Sequence, residues 1–125
     1  IILIDSTDPV DIGKVLFTKE FYGDVKNALT KNGIMAAQTE DPFYSGDVLK
    51  KANNRIQSVF GKNKTHLYLA FIPTYPSGCW SFTFASKGND FKIKNKAAGI
   101  KTKYYNKDIH SASFCLPNFV KSLVE

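Results

Sequence analysis

The chain opens with Ile1-Ile2-Leu3-Ile4-Asp5-Ser6-Thr7-Asp8-Pro9, a continuous apolar run that ends in carboxyl and hydroxyl side chains. A short apolar run without alternation is typical of a parallel strand covered by helices on both faces. We therefore predict a strand over residues 1–5, buried on both faces, and a loop over residues 6–14. Because chains rarely begin inside their own core, we also expect residues 1–125 to be part of a longer protein.

Outward from this strand, helical and extended patterns alternate along the sequence. Apolar residues at helical spacing, capping residues and turn residues mark the element boundaries. The predicted elements are a helix from the N-cap Thr18 to Gly33, a strand over 34–39, a helix over 47–60, strands over 66–72 and 79–86, an exposed excursion over 87–103, and short helices over 107–112 and 117–124.

The order of these elements predicts an α/β fold. Strand, helix, strand, helix and two final strands match the C-terminal half of a Rossmann-like, methyltransferase-type doubly wound sheet that ends in an antiparallel hairpin. The first half of such a sheet carries a glycine-rich cofactor turn. None of the eight glycines of this chain forms a G-x-G motif.

Composition argues against several partners. The net charge of +6 comes from 17 Lys and Arg against 11 Asp and Glu, but Arg55 is the only arginine. Nucleic-acid readers commonly use arginine forks, so we expect no nucleic-acid partner; a lysine-rich nucleic-acid-binding module stays as an alternative. We expect no membrane partner, since no apolar run has the length of a span.

Cys79 and Cys115, without a secretory signal, predict reduced thiols and a cytoplasmic protein.

Polar residues collect where the predicted strands end. Asp5 to Asp8 follow the first strand, Gln38 to Asp41 follow the second, and Tyr75 lies in the hairpin turn. Ligands of open α/β sheets bind beyond these carboxyl ends, and carboxylates beside aromatic faces suit a small organic cation. The alternative is structural, with the aspartates capping turns and Tyr75 packing in its turn. His66 and His110 lie on separate elements, so no metal site is predicted.

Six segments carry a family resemblance; in chain order they are Asp5-Ser6-Thr7-Asp8-Pro9, Leu16-Phe17-Thr18, Gln38-Thr39-Glu40, Ile72-Pro73-Thr74-Tyr75-Pro76-Ser77-Gly78, Lys103-Tyr104-Tyr105-Asn106, and His110 through Pro117. Together they resemble spermidine synthases, the polyamine aminopropyltransferases. The resemblance covers essentially the whole chain. It implies that residues 1–125 are the C-terminal portion of the catalytic domain, without the family's N-terminal β-rich segment and glycine-rich donor-binding half. We therefore expect these residues alone to be inactive and the intact protein to be a homo-oligomer.

The resemblance also implies a reaction. An aminopropyl group passes from decarboxylated S-adenosylmethionine, a co-substrate, to putrescine or a similar amine, giving spermidine and methylthioadenosine without a metal or redox cofactor. The residue matching Asp5 acts as the base, and the one matching Asp8 anchors the amine. Ser6, Gln38 and Tyr75 match positions of the acceptor pocket, and Trp80 adds an aromatic wall. The open alternatives are an amine N-methyltransferase and a non-catalytic remnant that assists assembly.

Overall fold

A computed structural model describes residues 1–88 and 101–125, which form a mixed sheet with helices on both faces. The strands are β1 (Ile2–Ile4), β2 (Ile34–Gln38), β3 (Thr65–Phe71) and β4 (Cys79–Ser86). The helices are α1 (Lys19–Ala28), α2 (Gly46–Phe60), α3 (Lys107–Ser113) and α4 (Asn118–Val124). Two 3-10 helices span Asp11–Phe17 and Lys62–Lys64.

The sheet has the strand order β1-β2-β4-β3. β1 pairs in parallel with β2, which brings Ile4 opposite Ala37. β4 runs antiparallel to both β2 and β3, so the predicted α/β class and final hairpin are confirmed. The carboxyl ends of β1, β2 and β3 consequently lie at the same end of the sheet as the first residues of β4.

The main core lies between the sheet and helices α1 and α2. Met35 of β2 and Ile56 of α2 are fully buried there, together with Tyr22 of α1. The predicted N-cap of α1 is confirmed, because the Thr18 hydroxyl accepts a hydrogen bond from the Phe21 N–H at 3.2 Å. An N-cap of this kind satisfies one of the backbone donors that a helix start leaves unpaired. Helices α1 and α2 therefore form a closely packed layer against one face of the sheet.

The C-terminal helices lie on opposite faces of the sheet. Val120 of α4 joins Leu49 and Leu67 in a second buried cluster, on the α2 side. Phe114, just after α3, packs against Tyr68 on the other face, with ring centroids 5.6 Å apart. The chain thus wraps around the β3 edge, and helices cover both faces as a doubly wound arrangement requires.

The predicted burial of the first strand on both faces is wrong. Ile2 and Ile4 pack against the main core, whereas Leu3 points to the other face and is 77% exposed. The described residues place α1 and α2 over only one face of β1, which explains the difference.

No helix in residues 1–88 and 101–125 is long and apolar enough to cross a membrane.

The predicted end of the first helix at Gly33 is also wrong, because α1 ends at Ala28. Leu29 turns to an extended conformation and still reaches the core. A Cβ at Gly33 would lie 2.9 Å from the Leu29 Cδ2, so the glycine permits this close approach. Part of the predicted 6–14 loop is the first 3-10 helix. Most of the predicted excursion over 87–103 lies outside the described residues.

We expect Ile56→Ala to lower the free energy of unfolding by about 2–5 kcal/mol, because it opens a cavity at a fully buried position. Lys50→Ala, on the exposed side of the same helix, is the matched control and should change it by less than about 0.5 kcal/mol. Urea denaturation measures both. Equal losses in the two variants would contradict the position of the core.

Candidate functional site

One cavity of about 610 Å³ lies at the carboxyl ends of β1 and β2. Its volume is in the range of small-molecule sites. Part of its floor is the aromatic pair Tyr68 and Phe82, whose stacked rings have centroids 5.3 Å apart. The cavity brings together all six site residues predicted from the sequence, namely Asp5, Ser6, Asp8, Gln38, Tyr75 and Trp80.

The loop after β1 carries the two exposed carboxylates, Asp5 and Asp8. The first 3-10 helix packs closely against this loop through Gly13. A Cβ at Gly13 would lie 2.4 Å from the Asp8 carbonyl oxygen, nearer than packing allows. The Val10 N–H also donates to that oxygen at 2.7 Å. Backbone contacts thus hold the loop from the side of the 3-10 helix.

Gln38, the last residue of β2, holds the same loop from the sheet side. Its side chain is 5% exposed. The Gln38 Nε2 donates to the Ser6 carbonyl oxygen at 3.0 Å and to the Glu40 Oε1 at 3.1 Å. The Gln38 Oε1 accepts from the Glu40 N–H at 2.9 Å and from the Trp80 Nε1 at 3.0 Å. One amide therefore links the β1 loop, the end of β2 and the start of β4.

Tyr75 and Trp80 form an aromatic wall of the cavity. Their ring centroids are 4.6 Å apart and their planes are inclined at 33°. Tyr75 lies in the turn between β3 and β4, which passes through left-handed conformations at Ser77 (φ 62°) and Gly78 (φ 68°). Glycine favours such a φ because it has no Cβ.

Asp41 anchors this turn. Its carboxylate accepts hydrogen bonds from the Ser77 hydroxyl and from the backbone N–H groups of Phe43, at 2.6 Å, and Tyr44, at 2.9 Å. The Asp41 side chain is buried. The sequence analysis grouped Asp41 with the polar residues at the strand ends, where a ligand would bind. In the structure its carboxylate instead holds the turn that carries Tyr75.

Glu40 is not among the residues predicted for the site and does not line the cavity, but it is hydrogen-bonded to Gln38. Its carboxyl group is buried, and burial raises its pKa. The hydrogen bond from Gln38 lowers that pKa, whereas the negative charges of Asp8 and Asp41 raise it further. Glu40 has a left-handed backbone (φ 75°), held by hydrogen bonds to its carbonyl oxygen from the Ser81 N–H at 3.0 Å and hydroxyl at 2.7 Å. Such strain is common at functional sites, and sequence alone does not reveal it.

The site has the chemistry to hold a small organic cation. Asp5 and Asp8 offer carboxylates, and Tyr75 and Trp80 offer aromatic faces, around one cavity. An ammonium group gains charge-assisted hydrogen bonds from the former and cation–π contact from the latter. In residues 1–88 and 101–125, no group of three or more His, Cys, Asp or Glu residues could hold a metal ion.

Comparison with known proteins identifies relatives of the chain. Residues 1–95 match the family model described as the spermine/spermidine synthase domain. A polyamine aminopropyltransferase of Thermotoga petrophila is 50% identical over 129 residues, which cover 97% of this chain and 42% of the relative. Its counterpart in Caldicellulosiruptor saccharolyticus is 46% identical over 127 residues, covering 100% of this chain and 45% of the relative. The chain therefore spans less than half the length of these curated relatives.

Solved structures show the same fold. A spermidine synthase crystallised with the transition-state analogue AdoDATO has a TM-score of 0.85 and 49% identity, over 97% of this chain and 43% of that one. The spermidine synthase of Thermotoga maritima has a TM-score of 0.79 and 48% identity, over 94% of this chain and 41% of that one. These similarities confirm the predicted methyltransferase-type fold class.

We expect Glu40→Gln to raise the thermal midpoint of unfolding at pH 7. Because burial raises the pKa of Glu40, the folded state favours the protonated form, and stability is lost as pH rises through the raised pKa. Glutamine is neutral at every pH and keeps an oxygen that accepts from Gln38. The difference from the wild type should shrink as pH falls to about 4, near the reference pKa of glutamate.

Thermal unfolding monitored by circular dichroism from pH 4 to pH 7 measures this effect. Asp24→Asn, at an exposed position of α1, is the control and should show no pH-dependent gain. A gain in midpoint for Glu40→Gln over the wild type that is no larger at pH 7 than at pH 4 would contradict the raised pKa of the buried Glu40 carboxyl group.

Proposed function

The chain belongs to the spermine/spermidine synthase family, and from this membership and the site geometry we propose that the whole protein is an aminopropyltransferase. It transfers the aminopropyl group of decarboxylated S-adenosylmethionine to putrescine or a similar amine and releases methylthioadenosine. The observation that carries the proposal is the convergence of Asp5, Asp8, Tyr75 and Trp80 on one cavity at the strand ends. The activity is assigned to the whole protein because the chain spans 42% to 45% of two curated relatives.

Asp5 and Asp8 have separate roles in this proposal. A primary amine with a reference pKa of about 10 is protonated at neutral pH and has no lone pair for attack. Asp5 binds the attacking ammonium and takes its proton, while Asp8 holds the distal ammonium. Ser6 and Gln38 line the pocket beside them, and the aromatic wall contacts the carbon chain between the two nitrogens.

The reaction is a substitution at carbon. The amine lone pair forms the new C–N bond as the C–S bond breaks, and that bonding pair stays on sulfur, which changes from a sulfonium to a neutral thioether. The proton of the attacking nitrogen goes to Asp5. Because the sulfonium is already a good leaving group, the site mainly has to align the two reactants, and alignment alone can supply a large part of a rate enhancement.

The relatives support this activity over an amine N-methyltransferase, since those reported above are named polyamine aminopropyltransferase or spermidine synthase. Cys79 and Cys115 are free thiols, which supports a cytoplasmic setting. We include in the proposal that residues 1–125 are the C-terminal portion of the catalytic domain and that the intact protein is a homo-oligomer.

The direct test is mass spectrometry of the whole protein incubated with decarboxylated S-adenosylmethionine and a panel of amines that includes putrescine. We expect methylthioadenosine and the aminopropylated amine in equal amounts. The same panel with intact S-adenosylmethionine is the control for methyl transfer. Release of S-adenosylhomocysteine in that control, with no methylthioadenosine in the main arm, would contradict the proposal.

Substitution of the two aspartates should separate their roles. We expect Asp5→Asn chiefly to lower kcat, because a base acts in the transition state. Asp8→Asn should chiefly raise the KM of the amine by roughly tenfold to a hundredfold, since it removes one charge-assisted hydrogen bond. The KM of the donor should change little in Asp8→Asn. Steady-state kinetics with each substrate varied in turn measures these constants.

The thermal midpoint of each variant shows whether it folds. Asp24→Asn again serves as the control, because it removes an exposed carboxylate of α1. Small and equal effects of Asp5→Asn and Asp8→Asn on both constants would favour a capping role for the two aspartates over a catalytic one.

A further inference from the structure

The hydrogen bonds of Gln38 give Trp80 a second role, beyond that of an aromatic wall. We propose that Trp80 is a positioning residue, whose indole N–H fixes the Gln38 amide and through it the loop that carries Asp5 and Asp8. This inference rests on the proposed function, because the loop it positions is the one that holds the reacting amine.

The protein itself uses the full hydrogen-bonding capacity of Gln38. A side-chain amide has two N–H donors and two acceptor lone pairs. The Nε2 donates to the Ser6 carbonyl oxygen and the Glu40 Oε1, with a longer contact of 3.3 Å to the Ser6 Oγ. The Oε1 accepts from the Glu40 N–H and the Trp80 Nε1. We infer that Gln38 acts on the amine through Ser6 and not by a hydrogen bond of its own.

Trp80 contributes to the orientation of this amide. An indole nitrogen is a donor and never an acceptor, so only the carbonyl end of Gln38 can face it. The NH₂ end then faces the Ser6 carbonyl oxygen, at 3.0 Å. In the reversed orientation two carbonyl oxygens would face each other, and the loop would lose its attachment to β2. The indole N–H thus favours the one orientation that holds the loop.

The positions of the residues make this attachment relevant to catalysis. Ser6 follows Asp5 directly and lies two residues before Asp8. Both carboxylates are on an exposed loop, which Gly13 and Val10 support only on the 3-10 helix side. Small misplacements of reacting groups lower rates strongly. Loss of the Trp80 N–H should therefore lower kcat even where the aromatic wall remains.

Two variants of Trp80 in the whole protein separate the wall from the N–H. Trp80→Phe keeps a ring beside Tyr75 and removes the indole N–H. We expect kcat to fall roughly two- to tenfold, the effect of one neutral hydrogen bond, and the KM of decarboxylated S-adenosylmethionine to stay unchanged. Trp80→Ala removes both the ring and the N–H and should also raise the KM of the amine. Phe119→Leu, an aromatic substitution outside the lining of the cavity, is the control and should leave kcat unchanged.

A double-mutant cycle tests whether Trp80 acts through Gln38. Gln38→Met keeps the length of the side chain and removes all its hydrogen bonds, so kcat should fall by at least about tenfold. In the Gln38→Met background, Trp80→Phe should then have almost no further effect, because coupled residues are non-additive. Thermal midpoints verify that each variant folds.

Nuclear magnetic resonance gives a readout that does not depend on activity. In the whole protein labelled with ¹⁵N and ¹³C, the Trp80 indole signal is assigned by triple-resonance experiments on the wild type. We expect it to exchange slowly with solvent in the wild type, and to shift and exchange faster in Gln38→Met. This arm uses a folded variant that keeps Trp80, so it holds even if Trp80→Phe unfolds.

Three results would overturn the inference: wild-type kcat in Trp80→Phe, the full Trp80→Phe effect in the Gln38→Met background, or an indole signal that Gln38→Met leaves unchanged. A wild-type protein that releases no methylthioadenosine with any amine contradicts the proposed function instead. The indole signal still decides in that case whether Trp80 and Gln38 are linked.

Discussion

The parallel pairing of β1 with β2 is the constraint on which the candidate site depends. With Ile4 opposite Ala37, the two strands end side by side, and the residues that follow each of them become neighbours in space. Asp5 and Ser6 then lie beside Gln38 although more than thirty positions separate them in the sequence. A shift of this register by one residue would turn the side chains of a whole strand to the opposite face. The site residues would then no longer lie around one cavity.

The antiparallel insertion of β4 between β2 and β3 completes the site. It brings Trp80 next to Gln38 and lets the β3–β4 turn place Tyr75 over the indole ring. The hydrogen-bonded side chain of Gln38 and the aromatic wall of Tyr75 and Trp80 then border one cavity. The site is locally acidic although the chain has a net charge of +6, so overall charge gives no guide to its ligand.

The sequence predicted most of the elements because its local signals agree with the fold. Thr18 caps a helix start, Gly61 takes the left-handed φ of 97° at the end of α2, and the Pro- and Gly-rich turn joins a real hairpin. The exposure of Leu3 and the early end of α1 were not predicted, because both depend on which neighbours cover an element. The six candidate site residues follow from strand-end positions and a family resemblance. The network of Glu40, Gln38 and Trp80 depends on side-chain orientation, which no spacing in the sequence specifies.

The central claim is that the loop after β1 holds the amine, and a crystal structure of the whole protein with a bound diamine tests it most directly. The account predicts one nitrogen within about 3 Å of a carboxylate oxygen of Asp5 and the other within reach of Asp8, with the carbon chain against Tyr75 and Trp80. A diamine bound elsewhere, or bound here with both aspartates turned away from its nitrogens, would contradict the account.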